Sequence, residues 1–370
     1  MTLSYWEQKE WFTNIDFTIV GSGIVGLSCA LELKKRHPKA KILLLEKGML
    51  PQGASTKNAG FACFGSLSEL LDDLKTHSEQ EVFDLIKKRW EGLQLLRQNL
   101  GDANIGFQQN KGFELFKEEA FYDECLSRKE EVNQLIFPIF KSPVFSKTSN
   151  AFNFENIQPN YISNQFEGQI DTGKMVAELL LLVQKSGVKI LNNIAVESYT
   201  EGLEKVAVKT DQNEFITRKL FIATNGFAKQ LVQENVQPAR AQVLITKPIK
   251  NLHIKGTFHL DKGYYYFRNI DDRILFGGGR NLDFKAEETS EFGQTALIQE
   301  SLKTILRETI LPNTKFEVDY SWSGIMGIGN QKKAIVKTIS SNVACGVRLG
   351  GMGVAIGSLI GKELAELYNL

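Results

Sequence analysis

The segment 16–46 constrains this chain more than any other. Residues 16–20 (DFTIV) are a short β-rich run that enters a glycine turn, and from Ile24 the apolar spacing becomes helical through Leu27, Ala30 and Leu31. A continuous apolar run, 41–48 (KILLLEKG), follows and carries an acid, Glu46, near its end. The order strand, turn, helix, strand predicts a βαβ unit on a buried parallel sheet. Gly21 permits the tight turn, Gly23 lets backbone approach a pyrophosphate, and Gly26 lets the helix pack close on the strand. The helix N-terminus then offers free N–H groups and the positive end of its dipole to phosphates. Glu46 stands where a carboxylate accepts from a ribose hydroxyl. Its charge disfavours a 2′-phosphate, so FAD or NAD suits the motif better than NADP.

With 370 residues, 42% of them hydrophobic, the chain buries a large core as two domains or as one α/β domain with an insertion. Lysine and arginine total 44 against 43 acids, and no long basic run breaks that balance. Neither nucleic acid nor an anionic membrane is therefore drawn in by charge, and the expected partner is a small molecule. Cys29, Cys63, Cys125 and Cys345 stand far apart with no CxxC pair, which suits free thiols in a reducing compartment. His37, His77, His253 and His259 show no metal-ligand spacing, so no metal is expected. The N-terminus, MTLSYWEQKEWFTNIDF, lacks the basic start and apolar run of a signal peptide. No stretch is long and apolar enough for a membrane span, and a cytoplasmic protein is expected.

Further along, 53–65 (GASTKNAGFACFG) is small and polar without strand or helix period, a composition suited to backbone lying against a flat ligand. From about 67 to 100 the pattern is helical, with Val82, Leu85, Ile86, Trp90, Leu93 and Leu96 on one stripe. The stretch 105–166 mixes short strands with a helix near 121–136 and reads as an inserted region. A helix capped by Asp171 or Thr172 and ended by Gly187 leads to a buried strand, VKIL, and then to KVAVKT and KLFIATNG. Residues 238–284 alternate with period two, which predicts an antiparallel sheet. A strand at 343–348 enters a glycine turn, 350–353, and a final helix begins near Val354, its N-terminus free to face the anionic edge of a reduced flavin.

Taken in order, GSGIVG at 21–26, Glu46, GASTKNAG at 53–60, GQIDTGKMV at 168–176, ATNG at 223–226, WSGIMG at 322–327 and GGMGVAIG at 350–357 resemble the D-amino-acid oxidase superfamily. The likeness is nearest to the branch of glycine oxidase, sarcosine oxidase and gamma-glutamylputrescine oxidoreductase. It implies an α/β fold in which a discontinuous, Rossmann-like FAD-binding domain (1–68, 167–226 and 319–370) is interleaved with an α+β substrate domain on an antiparallel sheet (69–166 and 227–318). It also implies FAD contacts at Gly21, Gly23, Ile24, Gly26, Glu46 and Lys47. Ser55, Thr56, Asn58, Ala59 and Gly60 fall on the loop around the pyrophosphate. Val196, Ala223 and Thr224 fall near the adenine, and Gly350, Gly351, Met352, Gly353 and Val354 at the flavin edge. Gly324 occupies the place where sarcosine oxidases carry a flavin-linked cysteine, so the FAD is expected to be non-covalent.

The resemblance implies oxidation of the C–N bond of an amino acid or related amine, by hydride transfer to flavin N5 and hydrolysis of the imine, with oxygen or another acceptor taking the electrons. On the substrate side Met326 replaces the expected arginine, and Tyr265 aligns with a substrate-facing tyrosine. Arg240, Arg268, Arg280 or Arg348 then remain as substitutes for the lost cation. Phe61 and Trp322 read as packing, and His253 and His259 as structural residues without a visible partner. An NAD-dependent dehydrogenase and a flavin-binding protein without turnover stay open as alternatives. An RNA-modifying flavoenzyme is disfavoured by the lack of a basic face.

Overall fold

Two eight-stranded sheets, each assembled from distant parts of the chain, organise residues 2–368, which the computed structural model describes. In the first sheet Ile15–Val20 lies between Ile42–Leu45 and Glu214–Ile222, parallel to both. Lys189–Leu191 extends the parallel set on one side and Val343–Val347 on the other. These strands are short and almost wholly apolar because both faces are buried, one under helices and the other under the Val206 and Val208 side of the antiparallel strands. Ile335–Thr338 closes one edge antiparallel. Val206–Thr210 pairs antiparallel with the first half of Glu214–Ile222 and carries Val196–Glu201 beside it.

The helix Ile24–Arg36 lies on this sheet with the C-terminal helix Gly353–Glu366 against it. Their approach depends on Gly361, where a Cβ would stand 2.5 Å from the Val25 carbonyl oxygen. The helical pattern predicted over 67–100 resolves into two helices, Leu67–Asp73 and Glu79–Leu100, the second begun by a capping box between Ser78 and Glu81.

The second sheet runs in the order Val318–Ile328, Gln237–Thr246, Arg273–Gly278, Tyr265–Ile270, Thr257–Leu260, Gly112–Leu115, Asn160–Asn164, Phe145–Ser149. Every pairing is antiparallel except Thr257–Leu260 with Gly112–Leu115. Residues 318–328 join this sheet by hydrogen bonding, although the sequence groups 319–370 with the FAD-binding domain. The reason is register: Val318–Ile328 pairs along its length with Gln237–Thr246, a partner that local pattern cannot reveal. One face of the sheet buries Phe258, Phe267 and Phe276 under the helix Ala296–Ile305. The other face turns toward the carboxyl ends of the parallel strands, and the candidate site lies there.

Candidate cofactor and substrate site

The first strand ends at Val20, and Gly21 adopts φ +101°, a backbone state that side chains rarely tolerate. A Cβ on Gly26 would lie 1.9 Å from the Gly21 carbonyl oxygen, so the helix rests directly on the turn. Glu46 is buried, and one carboxylate oxygen accepts from the Ser22 N–H (3.1 Å) and hydroxyl (2.8 Å). The other accepts from the Gly48 N–H at 3.0 Å, so the acid is oriented by backbone on both sides. Ser55 Oγ accepts from the Ile24 N–H at 3.0 Å, which brings the 53–60 loop over the helix N-terminus. Asn58 rivets that loop, donating to the Ser55 carbonyl and accepting from the Gly60 N–H and the Thr172 hydroxyl.

A cavity of about 640 Å³ runs from this cradle to the face of the second sheet, within the size range of cofactor and ligand sites. At one end Val196, Ala223, Thr224 and Lys47 line it, the Lys47 ammonium 3.7 Å from the centre of the Phe227 ring. Burial pushes the Lys47 pKa down. Gly350 and Gly351, at φ +59° and +82°, turn the chain into the C-terminal helix, whose first residues Gly353 and Val354 form part of the wall. On the sheet side a cross-strand row of His259, Tyr266, Gly277, Val243 and Trp322 faces the site. Gly277 leaves room for the Tyr266 ring, which would stand 2.7 Å from any Cβ there. The arrangement fits a dinucleotide: two glycine turns, two helix N-termini with no side-chain cap from their own N-cap residue, and a buried Thr224 hydroxyl in the wall that has no partner among the described residues.

Residues 16–367 match the FAD dependent oxidoreductase family (DAO). The chain belongs to this family. It is 22% identical to the probable oxidoreductase OrdL of Haemophilus influenzae, over 95% of this chain and 82% of that one. It is 24% identical to the glycerol 3-phosphate oxidase of Mycoplasma genitalium, over 96% and 95%. Among solved structures, glycine oxidase from Geobacillus kaustophilus superposes with a TM-score of 0.76 at 18% identity, covering 95% of this chain and 94% of that one. L-proline dehydrogenase from P. horikoshii gives 0.76 at 17%, covering 96% and 93%. These likenesses show the fold. This chain is therefore an FAD-dependent oxidoreductase built on the Rossmann-like fold expected from the sequence, and the NAD-dependent dehydrogenase alternative is set aside.

The cofactor residues expected for this flavoenzyme line the cavity, with two exceptions among them. Gly26 works from beneath, as a contact between helix and turn. Thr56 points away, its hydroxyl donating to the Pro51 carbonyl at 2.6 Å, because it closes the turn that Ser55 and Asn58 use. Gly324 does line the cavity and lies against Lys57, and Met326 lines it too.

Tyr265 is a correction. It is 4% exposed, faces the phenylalanine core and reaches the Ser301 hydroxyl at 3.3 Å. In a period-two strand its neighbours Tyr264 and Tyr266 face the cavity instead. Burial pushes the Tyr266 phenol up to about 12.

Three of the four candidate arginines are engaged elsewhere. Arg240 pairs with the buried carboxylate of Glu287 at 2.8 Å, and Arg348 donates to the Lys333 and Asn235 carbonyls. Arg268, 2% exposed, donates to the carbonyls of Gly60 and Ile170, and burial lowers its pKa to about 10. Arg268→Met is expected to leave the Ile170 carbonyl unpaired, while the Gly60 carbonyl keeps the Ile170 N–H, and to lower the unfolding free energy by about 1–3 kcal/mol, measured by urea denaturation. Arg280 alone of the four lines the cavity. Its guanidinium lies 4.7 Å from the centre of the Phe284 ring, which meets Tyr264 edge-on, and among the described residues no carboxylate pairs with it directly, although Glu287 and Glu288 act on it from farther away.

The sequence reading left His259 without a partner, and the structure supplies one. Its Nε2 lies 2.6 Å from the Glu167 carboxylate, and its ring forms part of the cavity wall beside Phe61. Cys63 completes a group whose donor atoms all fall within 4.8 Å, although the three residues are far apart in sequence. Phe61 lines the cavity as well, whereas Trp322 is tied by its indole N–H to the Lys57 carbonyl.

Proposed function

We infer that this flavoenzyme oxidises the C–N bond of a small amino acid or related amine, with FAD held non-covalently. The observation that carries the reading is Arg280, a cation in the cavity wall that forms no ion pair among the described residues, in a wall that also holds Tyr264 and Tyr266. A planar guanidinium fixed on an aromatic ring is suited to bidentate capture of a substrate carboxylate.

Gly21, Gly23 and the N-terminus of Ile24–Arg36 would hold the pyrophosphate, Glu46 the ribose, and Met352–Val354 the flavin edge. When bound, FAD would supply a two-electron acceptor for the hydride on the carbon beside nitrogen, and water would hydrolyse the imine product. Gly324 in place of a cysteine supports a non-covalent link. Tyr266, Phe61 and Met326 exclude water and favour the neutral amine, whose lone pair assists departure of the hydride. Four free, buried cysteines support a reducing, cytoplasmic compartment.

The test is the visible spectrum of the anaerobic holoenzyme titrated with amino acids, N-methyl amino acids, polyamine conjugates and glycerol 3-phosphate. Bleaching of the yellow flavin by a carboxylate-bearing amine is expected. Bleaching by glycerol 3-phosphate and by none of the amines would overturn the reading.

A further inference from the structure

We propose that His259 is the acid–base residue of the substrate cavity, taking the proton that a substrate ammonium must lose, and that Glu167 is the positioning residue that orients it. The proposal rests on the amine reading above and extends it to the fate of that proton.

Four observations support it. Of the four histidines, only His259 lines the cavity. Its Nε2 is committed to Glu167, and Glu167, 1% exposed, is itself fixed by the Thr257 hydroxyl at 2.8 Å. The remaining ring nitrogen, Nδ1, has no partner among the described residues, so the imidazole has one nitrogen oriented and one available. Behind the pair lies a small void of about 10 Å³ bordered by Ser66, Glu114, Asn164, Glu167 and His259, and the Asn164 side-chain N–H₂ there is buried without a partner. That is near the smallest space for one water, which would continue the proton path away from the cavity.

A buried ion pair costs desolvation that an apolar pair avoids, and packing alone gives no reason to place one in a cavity wall. The groups facing His259 from the surrounding elements are Glu167, Glu114 on the neighbouring strand, Glu69 on the helix Leu67–Asp73 and the Cys63 thiol. Burial alone would lower the imidazole pKa, but the charge and hydrogen bond of Glu167, helped by Glu69 and Glu114, carry it up to about 9. That value lies close to the range of aliphatic ammonium groups. The step is a proton transfer without redox change: the substrate N–H bond breaks, its electron pair stays on nitrogen, and a proton joins neutral imidazole.

Because the base must be neutral to act, the rate of anaerobic flavin bleaching at limiting substrate is expected to rise with pH up to about 9. A substrate ammonium titrates in the same range, so variants decide. Glu167→Gln keeps a hydrogen-bonding side chain but removes the charge, and the ascending limb is expected to move at least one pH unit lower. His259→Gln is expected to remove the enzyme's limb and slow bleaching by about 10²- to 10⁴-fold, with added imidazole restoring part of the rate.

The imidazole C2–H resonance, followed by NMR in the holoenzyme, gives a readout independent of turnover. It should titrate near pH 9 in the parent protein and lower in Glu167→Gln. If both variants fold with flavin bound and the limb stays where the parent enzyme has it, the proposal is wrong while the amine reading stands. If no amine bleaches the flavin, the amine reading fails first. Should Glu167→Gln fail to fold, the parent resonance and the His259→Gln profile decide alone.

Discussion

Replacing Gly26 with alanine is expected to yield a protein that no longer carries flavin. The added methyl would fall 1.9 Å from the carbonyl oxygen of Gly21, a backbone atom in a turn already held at positive φ. Relief requires the helix Ile24–Arg36 to move off the strand by more than an ångström. The helix cannot retreat freely, because Gly361 of the C-terminal helix lies against the Val25 carbonyl and the Cys29 N–H, with room for hydrogen alone. Overpacking of this kind costs about 1–3 kcal/mol of stability. The geometric cost falls on the turn and helix N-terminus proposed to hold the pyrophosphate.

The ratio of flavin to protein after purification and the melting temperature measure the effect. Gly53→Ala is the control: it lies on the loop over the same cradle, and a Cβ there meets nothing within 4 Å. Retention of flavin is expected for Gly53→Ala and loss for Gly26→Ala. Equal flavin content and equal melting temperatures in the two would refute this account of the cradle.

Replacing Arg280 with methionine is expected to leave flavin content and stability near those of the parent protein and to reduce kcat/KM for a carboxylate-bearing substrate. Losing one partner of a charge-assisted pair in a desolvated site costs about 2–4 kcal/mol, roughly 30- to 1000-fold. An amine without a carboxylate should lose little. Lysine at this position should recover only part of the loss, since a point charge reproduces neither the fork nor the stacking on Phe284. Arg240 separates this effect from a general loss of cations: Arg240→Leu strands the buried Glu287 carboxylate, which also accepts from Gln242, and should lower stability instead of raising KM. A kcat/KM unchanged in Arg280→Met would remove this arginine from substrate binding.

What could be read from the sequence alone has a common physical basis. The βαβ unit, Gly21, Gly26, the small-residue loop at 53–60 and the glycine turn into the last helix are all set by local backbone geometry, whether positive φ, close contact or a helix start. A handful of neighbouring residues is enough to encode each of them, and the cofactor side of the cavity was therefore legible. The substrate side was not. Tyr265 differs from Tyr264 and Tyr266 by one step in a period-two strand, and one step exchanges the two faces of the sheet.

The same limit explains the arginines and the histidine. Which of Arg240, Arg268, Arg280 and Arg348 stays free depends on acceptors as distant as Glu287, Ile170 and Asn235. Glu167 and His259 meet only because Thr257–Leu260 docks beside Gly112–Leu115, close to the segment that carries Glu167. The sequence by itself thus determined how this protein presents a cradle for FAD. Only the tertiary structure decided which side chains face the remaining space, because that follows from the register between strands that no local pattern records.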